Sequence, residues 1–104
     1  MPKYIVAYYG GPKFDTPEQG KAYMAKWRAW MNGLGEALLD PGAPLSRGKL
    51  ISNRGVADRG SDFLSGFSIL TAASMDHALH VAKVCPHLDH GTVEVAEVMD
   101  MQMT

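Results

Sequence analysis

The residues with the clearest chemical potential lie together in the segment VCPHLDHG, residues 84–91. This segment carries a thiol, two imidazoles and a carboxylate, on Cys85, His87, Asp89 and His90. Such side chains bind transition metals, and a histidine beside a carboxylate can also transfer protons near neutral pH. The segment is therefore a metal site, an acid–base pair, or a polar turn between a helix and a strand.

The metal hypothesis is weakened by the expected direction of Cys85. Helical periodicity before Pro86 puts this cysteine on an apolar helix face, where a free thiol behaves as a small hydrophobic group. The histidines follow in the turn, so the ligands would point in different directions. We therefore predict no metal site.

The acid–base hypothesis and the turn interpretation both stay open. His87 is the candidate base or acid, and Asp89 is the carboxylate that would fix its tautomer. In the turn interpretation, Asp89 and His90 precede Gly91 and bond to local backbone groups. One histidine beside one aspartate does not decide between these alternatives.

A second candidate set is aromatic and would bind a ligand. Trp27 and Trp30 lie one helical turn apart, Tyr23 precedes them on the same helix, and Tyr8 lies near the end of an apolar strand. Aromatic residues between a helix and a sheet more commonly form core, so core packing remains the alternative. A cleft between helix and sheet is also a natural small-molecule pocket. We predict that any ligand is apolar or aromatic and contacts these residues.

The composition is that of an ordinary folded protein in one domain, residues 1–104. The net charge is -1, and the 10 Lys and Arg residues are scattered, which gives no reason to expect nucleic acid. A single cysteine fits a reducing compartment, and the short apolar run at the N-terminus fits neither a signal peptide nor a membrane span. We expect a cytoplasmic protein.

Six elements are predicted along the chain. The first helix has explicit start signals, with Thr16 as the cap and Pro17 in the first turn, and it is expected to end near Asp40. The second helix is expected to follow a cap at Ser74 and to end at Pro86. The four predicted strands are Lys3–Tyr9, Leu45–Ser52, Phe63–Ala72 and Thr92–Met99, with a polar connection over residues 53–62.

This βαββαβ order predicts an α+β fold of the ferredoxin-like type, with both helices on one face of an antiparallel sheet. The strands have apolar residues on the face away from the helices as well. A contiguous apolar sheet face exposed on a small domain is normally an interface. We therefore predict a homodimer, a dimeric α+β barrel in which two sheets pack face to face. Met99, Met101 and Met103 are expected to extend across the partner.

The chain resembles the YCII-related family, small dimeric α+β barrels that include DGPF-type proteins. The resemblance rests on YIVAYYG, WRAWMNGLGEALLDPGAPL, SGFSILTAASMDHALHVAKVCPHL and GTVEVAEVM, which together cover nearly the whole chain. It implies the ferredoxin-like fold and the dimer. Some family members carry out eliminations such as dehydrochlorination with a His–Asp pair whose histidine lies on the first helix.

This chain departs from that pattern in two places. Its first helix contains no histidine, and the DGPF tetrad is replaced within VADRGSDFLSGF. Three functions therefore stay open. The first is a cofactor-independent lyase or isomerase acting through His87 on a small apolar or aromatic-derived substrate. The second is a non-catalytic module that binds a small ligand or a partner, and the third is a structural dimer.

Overall fold

The computed structural model describes residues 1–99, which form two helices, four strands of one sheet and a separate hairpin. The main sheet is antiparallel and its strands lie in the order Leu38–Asp40, Leu64–Thr71, Lys3–Tyr9, Thr92–Glu97. This is the ferredoxin-like arrangement, so the predicted α+β fold of that type is confirmed. The predicted course of Met101 and Met103 lies outside the described residues. The elements are β1 (Lys3–Tyr9), α1 (Pro17–Leu34), β2 (Leu38–Asp40), β3 (Lys49–Ser52), β4 (Gly55–Asp58), β5 (Leu64–Thr71), α2 (Met75–Ala82) and β6 (Thr92–Glu97).

Strand β1 lies at the centre of the sheet and pairs with β5 on one side and β6 on the other. Because side chains alternate along a strand, Tyr4, Val6 and Tyr8 share the face that packs against the helices. Ile5 and Ala7 point to the helix-free face. Both faces of this strand are therefore apolar.

Helix α1 begins as predicted and ends earlier than predicted. The Thr16 hydroxyl accepts a hydrogen bond from the Gln19 amide at 3.3 Å, and the Gln19 side chain accepts one from the Asp15 amide at 2.9 Å. The helix was expected to continue to Asp40, but it stops at Leu34 because Gly35 has a φ of +55°, which side-chain-bearing residues rarely adopt.

The second strand of the sheet was assigned to the wrong residues. The position beside β5 is taken by β2, which forms directly after a short 3₁₀ turn, whereas the predicted strand Leu45–Ser52 is not part of this sheet. Its second half is β3, which pairs with β4 inside the region expected to be a connection. The reversal at Asn53 and Arg54, with Gly55 at φ +121°, makes this pairing local.

Helix α2 packs its small residues on the sheet. The Ser74 hydroxyl caps it by accepting from the His77 amide at 3.1 Å, and Ala78 and Ala82 are buried. The helix ends three residues before Cys85, and a 3₁₀ turn over Pro86–Asp89 leads to β6. Within residues 1–99, neither helix is long and apolar enough to cross a membrane.

Two neighbouring glycines give a matched test of the end of α1. Gly35→Ala should lower the free energy of unfolding by about 1–3 kcal/mol, because alanine is strained at a φ of +55°. Gly33→Ala should raise it by up to about 1 kcal/mol, since Gly33 is helical and a Cβ there meets no atom within 4 Å. Urea unfolding of both variants measures the difference. Equal effects would contradict this account of the helix end.

Candidate functional site

A cavity of about 360 Å³ lies between α1 and the helix-facing side of the sheet. Its roof is the inward side of α1, which contributes Tyr23, Met24, Trp27 and Met31. Its floor includes the small residues Gly66 and Ser68 of β5 beside Tyr8 of β1. The cavity exists because large side chains on the helix face small ones on the strand, so that helix and sheet do not close on each other.

Residues 41–44 form a side wall of the cavity. Pro44 makes an isolated bridge with Gly66, and the Leu45 amide donates to the Ser65 carbonyl at 2.8 Å. Gly42 has a φ of +71°, and a Cβ there would overlap the carbonyl of Phe67. This wall therefore lies against β5 at a distance that only glycine permits.

A chain of hydroxyl groups crosses the floor. The Tyr8 hydroxyl donates to Ser68 Oγ at 2.8 Å, and Ser68 Oγ donates to the Pro41 carbonyl at 2.9 Å. Burial raises the pKa of the Tyr8 phenol far above its usual value, and the hydrogen bond to Ser68 opposes this shift only in part. Tyr8 therefore stays a neutral phenol at physiological pH.

His87 borders the same cavity. Its side chain is 3% exposed, and its ring centroid lies 5.4 Å from that of Tyr8. Nε2 lies 2.8 Å from the Tyr9 carbonyl oxygen. Because a carbonyl only accepts hydrogen bonds, Nε2 must carry the hydrogen, and in the neutral ring Nδ1 then holds the lone pair.

Gly91 fixes the position of that ring. A Cβ on Gly91 would lie 2.2 Å from the Tyr9 carbonyl oxygen and 2.7 Å from His87 Nε2. The Cδ2 atom of the ring is also close, at 3.3 Å. The chain therefore passes tightly over the Nε2–Cδ2 edge of the imidazole.

The other members of the VCPHLDHG segment lie in different surroundings. Cys85 is buried in the core, where desolvation raises the pKa of its thiol to about 11. His90 lies on the surface, with its ring 5.0 Å from that of Tyr23 and 5.7 Å from that of Phe14. Among residues 1–99, no three His, Cys, Asp or Glu side chains come close enough to hold a metal ion.

The expected contact between His87 and Asp89 is not present. The Asp89 carboxylate is exposed and lies 3.3 Å from Lys26 Nζ, while the His87 ring bonds to a backbone carbonyl. The reason is the 3₁₀ turn that contains both residues. With three residues per turn, side chains two positions apart point in different directions.

The two tryptophans have different roles. Trp27 lines the cavity and packs edge-on against Tyr8, with ring centroids 5.0 Å apart. Trp30 is not among the described residues that line the cavity, and its indole N–H donates to the Val81 carbonyl at 3.3 Å. The structure thus brings together Tyr8, Trp27 and His87 from the sequence-based candidates.

Sequence reasoning missed much of the lining. Met24 and Met31 of α1 were not named as pocket residues, and Ser68 and residues 41–44 were not considered. The signals that could have identified them are weak. They are the small residues Gly66 and Ser68 inside an otherwise bulky strand, and the proline- and glycine-rich stretch PGAP.

The chain is similar to known proteins in its sequence and in its fold. The model of a family described as the YCII-related domain matches residues 2–102. A search of curated proteins finds no match. Among solved structures, the chain is similar to 5-chloro-2-hydroxyhydroquinone dehydrochlorinase from Burkholderia phenoliruptrix AC1100, in complex with 2,5-dihydroxybenzoquinone. The TM-score is 0.58, with 16% identity over 90% of each chain, so this likeness supports the fold alone.

The close passage of Gly91 over His87 can be tested with a second glycine as control. Gly91→Ala should destabilise the protein by about 1–3 kcal/mol, because the new methyl group displaces the Tyr9 carbonyl or the imidazole. Gly60→Ala should have little effect, since a Cβ there meets no atom within 4 Å. Thermal unfolding compares the two variants. Equal stability of both would contradict the tight packing described.

Proposed function

The chain belongs to the YCII-related family, and on that basis we propose that it is a homodimeric protein that binds a small apolar or aromatic-derived compound in its cavity. As an enzyme it would catalyse a cofactor-independent elimination or isomerisation, with His87 as the base or acid. One observation carries this proposal. Among the described cavity residues, His87 is the only one whose side-chain type ordinarily exchanges a proton near neutral pH.

The lining supports an apolar ligand. None of the cavity residues within 1–99 is Asp, Glu, Lys or Arg, so nothing there would balance a charged group. The volume of about 360 Å³ falls in the range of small-molecule pockets. Tyr8 and Trp27 offer an aromatic edge and face, and the hydroxyls of Tyr8 and Ser68 can meet a polar substituent.

The hydrogen bond to the Tyr9 carbonyl supports a role for His87 as a base. With Nε2–H directed at the carbonyl, the Nδ1 lone pair can take a proton from the bound compound. The ring then becomes a cation, and the carbonyl stabilises it by accepting a stronger, charge-assisted hydrogen bond. In an elimination the C–H electron pair forms the new double bond, the leaving group departs with its own electrons, and the imidazolium releases the proton to water.

The structural relative supports the ligand class. That protein is a dehydrochlorinase of a chlorinated hydroxyhydroquinone, with a dihydroxybenzoquinone bound. A planar six-membered ring of that kind agrees with the aromatic lining and the size of the cavity here. At 16% identity this remains an argument for choosing test compounds.

The helix-free sheet face supports the homodimer. Its centre carries Ile5, Ala7, Phe67, Ile69 and Ala96, which are adjacent through the pairing of β1 with β5 and β6, and Glu94 lies beside Ala7 at the β6 edge. No described helix packs on this side, since the core is built on the opposite face. A second copy placed on it would remove these side chains from water.

A non-catalytic binding module is the second candidate. The His87 ring forms its hydrogen bond with the backbone carbonyl of Tyr9, whereas a histidine that acts as a base is more commonly oriented by a carboxylate. This difference favours binding without catalysis. Helix α1 also has no histidine. Binding without turnover would assign the protein to this class.

Ligand binding is tested by a pair of tryptophan variants. We expect Trp27→Leu to weaken binding of 2,5-dihydroxybenzoquinone or a related phenol by about tenfold, through the loss of an aromatic contact. Trp30→Leu should change affinity less than about twofold, because Trp30 bonds to α2 outside the cavity. Isothermal titration calorimetry measures both. If Trp27→Leu and Trp30→Leu bind every such compound with the same affinity, the cavity is not the binding site.

Catalysis is tested by substitutions within the VCPHLDHG segment. His87→Gln retains an N–H that can reach the Tyr9 carbonyl but lacks a base, so turnover should fall by about 10²–10⁴-fold while affinity is kept. His90→Gln is the control, as His90 is exposed and not among the described cavity residues. Halide release and exchange of ligand C–H for deuterium, followed by NMR, report the reaction. Unchanged rates in His87→Gln would refute its role.

A further inference from the structure

The hairpin β3–β4, residues Lys49–Asp58, is an arm that carries apolar side chains into solvent. All eight of its strand residues are exposed, and Leu50, Ile51 and Val56 are 57%, 80% and 67% exposed. The molecule accordingly measures 45 × 42 × 19 Å, and its radius of gyration of 15.3 Å exceeds the ~13 Å of a compact domain of this size. A two-stranded hairpin without cover is only marginally stable in water.

The base of the arm is nevertheless fixed. The Arg59 guanidinium donates to the carbonyl of Ser46 at 2.5 Å and to that of Leu64 at 3.1 Å. It also stacks on the Phe63 ring, with its central carbon 4.7 Å from the ring centroid. Ser46 precedes the arm and Leu64 follows it, so one side chain joins both ends. The arm is thereby held outward from the body.

The register divides the arm into two faces. Ile51 pairs with Val56, and Leu50 pairs with Ala57, so the two pairs point to opposite sides. Lys49 and Asp58 form an ion pair on the same side as Ile51 and Val56. The apolar pair Ile51–Val56 thus lies next to the Lys49–Asp58 ion pair. Because these two charges are paired with each other, this face of the arm can pack against an apolar surface without burying an unpaired charge.

The size of the sheet face indicates what covers this arm. The four strands of the main sheet together contain 24 residues, which gives the sheet face a flat footprint of about 400 Å² at ~3.3 Å per residue and ~4.8 Å between strands. A stable dimer buries about 800 Å² on each partner. The helix-free face alone therefore falls short of that area, and the arm, which joins β5 through residues 59–63, adds further exposed apolar surface.

We infer that the arm of each copy packs its Ile51–Val56 face on the other copy of this chain. The inference rests on the proposed homodimer and specifies how that dimer is held together. Two arms related by twofold symmetry cover each partner in the same way. Arg59 prepares the contact, because an arm already held outward loses little conformational freedom on association.

The test compares two valines of the full-length chain with similar exposure. Val56→Ser should weaken the dimer at least about tenfold, since the change removes apolar burial at both arms. Val84→Ser is the control, as Val84 is 72% exposed beyond α2, away from the arm. Sedimentation equilibrium measures the dimer dissociation constant of each variant. Circular dichroism confirms that both variants stay folded.

Amide hydrogen exchange gives an independent measurement on the unaltered chain. Amides of residues 49–58 should exchange more slowly at concentrations where the dimer forms than at dilutions where it separates. A wild-type chain that sediments as a monomer at micromolar concentration would overturn both the homodimer and the arm contact. A stable dimer that Val56→Ser and Val84→Ser affect equally, or whose arm amides are unprotected, would overturn the arm contact alone.

Discussion

The alternation of apolar side chains along β1 determines most of this structure. Every second residue of this central strand faces the helices, and the residues between them face the other way, yet both sets are apolar except for Lys3 at the start of the strand. One face is covered within the chain by α1 and α2. No described helix covers the other face. Because both helices lie on one side of the sheet, they can bury only one of the two apolar sides of the strand. The core and the proposed dimer therefore arise from the same pattern.

The cavity results from incomplete contact between α1 and the sheet. No residue of α1 is fully buried, and its Tyr23 and Trp27 line the cavity together with Gly66 and Ser68 of β5, which are too small to fill the space. A strand with large residues at these positions would have closed the gap. The same mismatch places an imidazole, a phenol and an indole around one volume. Clefts between a helix and a sheet commonly hold small molecules, which agrees with the ligand binding proposed above.

Local signals predicted the helices and central strands well. The Thr16 and Ser74 caps act as predicted, and the strands at residues 3–9 and 64–71 agree with their apolar runs. The second helix ends at Ala82, earlier than the predicted end at Pro86, and the larger errors lie between residues 35 and 58. There, Gly35 ends the helix through a positive φ, and three residues then form an edge strand too short to show a period. The pairing of β3 with β4 depends on the geometry of the turn between them, and it was not predicted because the polar composition of the region indicated a connection.

By itself, the sequence determined the fold class, the family resemblance and the aromatic character of the candidate pocket, because each follows from side-chain type and local periodicity. The tertiary structure decided which of those residues share a space. It separated His87 from Asp89 through a 3₁₀ turn, assigned the imidazole a backbone carbonyl from a strand 78 positions away, and removed Trp30 from the cavity. It also showed the arm and its Arg59 anchor. These contacts join residues distant in the chain, and such distances are set only when strands pair and helices pack.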